Sequence, residues 1–253
     1  MLLPALGADL PGGAVLAGCL LATGLAGALR GFTGFGFGLA ATPLLSLVLA
    51  PGELVPVVLL LQVASSLVGL RQTLAAHEPG STRWLSLAAM LTTPLGVWIL
   101  HHIGLAAARL CIAGVSAGAT LVLAGGWRHT RPHGPGFILP FGLLAGVLSG
   151  LCAMPGPPVL AYYLAVGTPP AAARASMILI FLVTGGLALA GNLWVAGLGA
   201  PVLLLAGLCL PAMMAGTLAG ESLFRLSGGR HYRQIGLACL VAIAASAALR
   251  ALL

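Results

Sequence analysis

Arg30 stands at the end of an apolar run and is followed at once by Gly31, Thr33, Gly34, Gly36 and Gly38, within LRGFTGFGFGLAATP at Leu29–Pro43. A guanidinium beside unpaired backbone N–H groups is anion-binding chemistry, because oriented donors and positive charge act together. Four glycines fall within eight residues here. Each costs about 1 kcal/mol against Ala inside a helix, so a helix is expected to break. A second break is expected in GLCAMPGPP at Gly150–Pro158, with Cys152, Met154 and Gly156 as its candidate residues. Two such breaks meeting near the midplane aim two helix N-termini at one spot, each equivalent to about half a positive charge. Gln62 and Ser65, with Ser66 beside them, lie on neighbouring turns of one apolar segment and join the candidate binding set. The competing reading is that the glycines serve only close helix packing, as small residues do in membranes.

Little else in the chain suggests chemistry. There are four acidic residues, Asp9, Glu53, Glu78 and Glu221, and none is paired at helical spacing. That argues against an enzyme working at the bilayer face. Glu53 and Glu221 lie at the ends of apolar segments and are the candidates for coupling to protons. Asn192 is a weaker polar candidate. His129 and His133 have the i, i+4 spacing of metal ligands, but Pro132 between them opposes a helix, so no metal site is expected. His101 and His102 end a segment, where a helix-capping role fits. Cys19, Cys111, Cys152, Cys209 and Cys239 sit in apolar sequence without metal-type spacing and read as small buried side chains. No cofactor is expected.

The chain that must hold the breaks is 60% hydrophobic and 6% charged, with mean hydropathy +1.11. Soluble domains are about 25% charged, so the fold class is an all-α polytopic membrane protein. All eleven basic residues are Arg, and the net charge is +7. The arginines stand singly between apolar runs, which fits membrane orientation and excludes nucleic acid as a partner. The first thirteen residues carry no basic n-region, so no cleavable signal peptide is expected. Apolar segments are expected at Ala14–Leu29, Phe37–Ala50, Leu54–Leu70, Trp84–Leu100, Ala106–Gly125, Phe137–Leu151, Pro158–Val166, Ala172–Val195, Pro201–Phe224 and Gln234–Leu249. Phe37–Ala50 and Pro158–Val166 are short for spans, and each follows one of the breaks.

The sequence repeats itself. AGALRG at Ala26–Gly31 returns as AGVLSG at Ala145–Gly150, 119 residues on, and Pro94 pairs with Pro211 at 117. Each half then reads as one broken or re-entrant helix pair plus three spanning helices. The halves are residues 1–126 and 137–253, with a linker at 127–136. An odd number of crossings per half makes the two repeats inverted. Arg71, Arg83, Arg128, Arg131, Arg174, Arg225, Arg230 and Arg233 fall on one side, against Arg109 and Arg250 on the other. Positive charge marks the cytoplasmic side, so both termini are expected in the periplasm.

With the breaks and the duplication in place, the sequence resembles the TauE/SafE sulfite exporter family. The resemblance is carried by GFTGFGFGLAATPLL at Gly31–Leu45, GLCAMPGPPVLAYYL at Gly150–Leu164 and TPPAAARAS at Thr168–Ser176. It covers nearly the whole chain. It implies a secondary transporter of the cell inner membrane that moves a small anion, sulfite or an organosulfonate such as sulfoacetate, without ATP. The chain has no Gly-x-x-x-x-Gly-Lys-Ser/Thr signature, which agrees. The alternatives are a transporter of a small carboxylate or other anion and, from another class, a membrane assembly subunit. The partners implied are the anion and the lipid bilayer, with a homodimer left open.

Overall fold

In hydrocarbon every backbone N–H and C=O must find its partner within the chain, which leaves sequence this apolar with helices. The structure, a computed structural model, describes residues 12–33, 36–68, 70–125 and 134–227, and no strand occurs among them. In order they form α1 (Gly13–Thr33), α2 (Phe37–Leu45), α3 (Pro51–Leu67), α4 (Leu70–Ala76) and α5 (Pro79–His102). Then follow α6 (Leu105–Gly125), α7 (Pro135–Cys152), α8 (Gly156–Val166), α9 (Pro170–Ala196) and α10 (Ala200–Ser227). All but α4 follow an expected segment. The expected segment Gln234–Leu249 and most of the 127–136 linker, with His129 and His133, lie outside the described residues.

Among the described residues, α1, α5, α9 and the Ala200–Leu223 part of α10 are long and apolar enough to cross a bilayer. The pair α3 and α4 makes a fifth span if counted as one. With 24 residues, α5 is about 36 Å long at 1.5 Å per residue, against a hydrocarbon core of about 30 Å. By the same rise α2 and α8, of 9 and 11 residues, reach only about 14 and 17 Å. Neither spans alone. Between α3 and α4, where the sequence has Gly69, the chain turns by 74°.

Two glycine seams hold the bundle. Helix α1 lies along α10, and α7 lies along α5. A Cβ on Gly27 or Gly31 would overlap the carbonyl of Met213 or Thr217, and one on Gly216 or Gly220 that of Gly24 or Ala28. In the second seam Gly146 and Gly150 meet the carbonyls of Ala89 and Thr93 in the same way, and Gly96 meets that of Val147. The seams correspond residue for residue. The α1 and α7 positions are 119 apart, and the α5 and α10 positions 124 apart. Where α10 sets Gly216 on the Gly24 carbonyl, α5 has Thr92, whose hydroxyl donates to the Leu143 carbonyl at 2.6 Å. The contacts therefore align α5 with α10 at 124, not at the 117 of the Pro94–Pro211 pair. Between lipid-covered helices, backbone contact of this kind replaces the missing hydrophobic driving force. Helix α9 packs on both α5 and α3, and α3 packs on α10, which closes the bundle around α2 and the end of α7.

Candidate anion site at the helix breaks

The first break turns at Gly36, whose φ of 90° lies in the left-handed region that glycine enters without a Cβ penalty. Ala40 is the first residue of α2 with an intrahelical acceptor, the Gly36 carbonyl at 3.0 Å. The N–H groups of Phe37, Gly38 and Leu39 precede the ladder and have no acceptor within α2. The second break turns at Ala153, a non-glycine residue at φ 55°. Its N–H and that of Met154 fold back on the carbonyls of Ser149 (3.0 Å) and Leu148 (3.1 Å), satisfying the last turn of α7. Helix α8 then begins Gly156-Pro157-Pro158. Proline has no N–H, so the first turn of α8 offers one donor where that of α2 offers three.

The two breaks meet. The Thr42 hydroxyl donates to the Cys152 carbonyl at 2.9 Å. Gly38 lies so close to the Ala153 carbonyl that a Cβ would overlap it. Beside Gly38 stands Gln62 of α3, its Oε1 3.0 Å from that Cβ position. On the other side its Nε2 lies 3.5 Å from the Cβ position of Gly185 in α9. Gln62 is 2% exposed, and Nε2 has no hydrogen-bond partner. Leaving such a donor unpaired costs about 1–3 kcal/mol. Ser149 Oγ and Arg109 Nε are the other buried side-chain atoms without a partner among the described residues.

The remaining candidates are spread around this contact. Arg30 donates from Nη1 to the Ser65 hydroxyl at 2.5 Å and from Nη2 to the Ser65 carbonyl at 3.3 Å. Ser65 lies in the last turn of α3, where carbonyls lack intrahelical donors. The guanidinium thus caps α3 at the negative end of its dipole. Gly31 faces α10 rather than the breaks. Thr33 donates back to the Leu29 carbonyl at 2.7 Å. Met154 is fully buried, and Cys152 turns its thiol to the Leu148 carbonyl at 3.3 Å. Gly156 has room for a methyl, with the Phe181 ring 3.7 Å from its Cβ position. Gly34 lies outside the described residues. Thr42 and Ala153, central to the contact, were not singled out by sequence. Thr42 carried a signal, a polar residue before Pro43 in an apolar segment, whereas Ala153 carried none.

The other polar groups lie elsewhere. Glu53 is exposed in the first turn of α3. Glu221 pairs with Arg174 at 3.9 Å, both partly exposed, where an ion pair adds little. Asn192 Oδ1 accepts from His101 Nε2 at 3.1 Å, and Asn192 Nδ2 donates to the Ala188 carbonyl at 2.8 Å. Among the described residues no group of His, Cys, Asp and Glu is placed to hold a metal ion. A cavity of about 460 Å³ opens at the start of α5, lined in part by Glu78, Ser81, Trp84, Tyr162 and Thr168. The Glu78 carboxylate caps α5, accepting from Gly80 N–H (3.1 Å), Ser81 N–H (2.6 Å) and the Ser81 hydroxyl. Burial pushes this carboxyl up, but the bonds from Ser81 and Gly80 and the nearby His77 outweigh it and hold it below the usual range. An ionised carboxylate repels an anion, so this cavity is a poor resting place for one.

A family model described as sulfite exporter TauE/SafE matches residues 19–247. The chain belongs to that family. A curated relative from Cupriavidus necator, described as a probable sulfite/organosulfonate exporter TauE, is 26% identical over 228 residues, covering 87% of this chain and 88% of the relative. No solved structure matches. As a TauE/SafE protein with bilayer-spanning helices, the chain is an integral membrane transporter and not an enzyme. The comparisons lend no support to the homodimer left open by the sequence.

Proposed function

We propose that this TauE/SafE protein is a secondary transporter that exports a small oxyanion of the sulfite or organosulfonate class, held between its two helix breaks. The observation that carries the reading is the meeting of the breaks, with Thr42 bonded to the Cys152 carbonyl and Gly38 packed on Ala153. Gly38 in the first turn of α2 lies beside both the Ala153 carbonyl and the Gln62 amide, which supports a binding point there. The description of the Cupriavidus necator relative supports the substrate class and the outward direction. The matching glycine seams support two inverted repeats, residues 1–126 and 137–253, that alternate access to the site. The arginine distribution supports an inner-membrane orientation with both termini periplasmic.

The test is flux through purified protein in liposomes, with sulfite, methanesulfonate, sulfoacetate and acetate as substrates. The sulfur oxyanions should move and compete with one another, with acetate a poor competitor. Movement of acetate alone would replace the substrate class by carboxylates. Movement of none would return the chain to the assembly-subunit reading.

A further inference from the structure

We propose that Gln62 is the residue that selects the substrate, its Nε2 donating to one oxygen of the transported oxyanion between α2 and α9. The inference rests on the transport reading above and names the group that reads the substrate. Gln62 sits mid-helix in α3 and is 2% exposed. Its amide lies between Gly38 of α2 and Gly185 of α9, both without side chains to crowd it. Its backbone is held fast, because the Gln62 carbonyl accepts from the hydroxyls of Ser65 (2.9 Å) and Ser66 (2.7 Å). Ser65 is held in turn by Arg30.

What the amide lacks is an acceptor for Nε2. A buried unpaired donor in a native fold calls for a partner that is absent from the chain itself. The donors at this crossing favour an anion, although the amide's own Oε1, the atom nearer Gly38, is an acceptor. The N–H groups of Phe37, Gly38 and Leu39 have no acceptor within α2, the helix end there is positive, and Nε2 is a donor. Only a ligand presenting several acceptor oxygens satisfies them together. Donors arriving from a helix end and from a side chain on another helix are not coplanar. A pyramidal SO₃ group meets three such directions, and a planar carboxylate meets two. Arg30 is occupied one turn away at Ser65, so the ligand is read by neutral donors. That allows it to leave as well as bind.

The opposite orientation of the amide is the rival. Turned over, Nε2 would lie beside Gly38, where the Ala153 carbonyl also sits, and Gln62 would be a structural tie between α3 and α7. Two variants in liposomes and detergent separate these, with sodium sulfite and methanesulfonate as probes. Gln62→Met removes the donor and the unpaired polar group together. The ligand-free melting temperature should then equal or exceed that of the parent, the rise on adding sulfite should vanish, and KM should increase about tenfold or more, the loss of one good donor. Gln62→Glu keeps the shape but puts an acceptor and a negative charge at Nε2, and should raise KM further still. A lower ligand-free melting temperature in Gln62→Met with KM within twofold of the parent overturns the proposal in favour of the structural tie. Unchanged KM in both variants also overturns it. If the parent moves only acetate, the same KM ratios are read with acetate, so the substrate class fails separately from the role of Gln62.

Discussion

At the scale of single residues, Arg30 shows how a charge in an apolar chain can be positional. Its guanidinium bonds both the hydroxyl and the carbonyl of Ser65 at the end of α3, one turn beyond Gln62. It therefore fixes the helix that carries the proposed donor. Arg30→Gln should lower stability by about 2 kcal/mol, the scale for a lost charge-assisted bond, with the melting temperature in detergent as readout. A direct ligand role would instead raise KM about tenfold with stability intact. The glycines separate in the same manner. Gly31→Ala drives a methyl into the Thr217 carbonyl and should cost about 1–3 kcal/mol, as overpacking does. Gly156→Ala meets only the Phe181 ring at 3.7 Å and should stay within about 0.5 kcal/mol of the parent. Similar thermal shifts for the two would break the distinction between a packing glycine and a break glycine.

At the scale of elements, both breaks were legible because Gly-rich and Pro-rich sequence cannot continue a helix. Their orientation was half legible. Composition gave Gly31 and Gly36 the same standing, yet one faces α10 across a seam and the other turns the chain at φ 90°. Only tertiary packing separates them. The α3–α4 bend had a signal that was passed over, since Gly69 stands between the two helices, but one glycine in an apolar segment does not by itself announce a turn. Glu78 was read as one of four scattered acids, but the residues after it, Pro79-Gly80-Ser81, make it the cap of α5. Its carboxyl titrates below the usual range because of the bonds from Ser81 and Gly80. A carboxylate favoured in the folded state contributes stability above its unfolded value of about 4.3. That contribution is lost as pH falls through the lower folded value. The melting temperature should therefore fall on acidification below about pH 4.3, and Glu78→Gln should flatten that part of the profile. A variant with an unchanged acid limb would mean that other carboxyls set it.

At the scale of the whole molecule, the question is which end of the bundle faces the cytoplasm. The start of α5 is tied to the start of α9, because Glu78 N–H donates to the Ser176 hydroxyl at 2.9 Å. Arg83 and Arg174 therefore share one end, and Arg71 on α4 precedes α5 there. Arg30 belongs to the same end, since its neighbour Gly31 packs against Glu221, the partner of Arg174. Arg109 stands at the start of α6, beyond the far end of α5. Positive charge is retained on the cytoplasmic side, so the turn at His77 should face the cytoplasm and the turn at Gly104 the periplasm. Cys19, Cys152 and Cys209 are fully buried, so only Cys111 among the described thiols needs replacing before single-cysteine labelling. In intact cells a membrane-impermeant maleimide should label Gly104→Cys, and should label His77→Cys only after permeabilisation. The reverse pattern would place the arginine-rich end outside and both termini in the cytoplasm. Export would then have to begin from the Arg109 end, and the charge argument for orientation would fail with it.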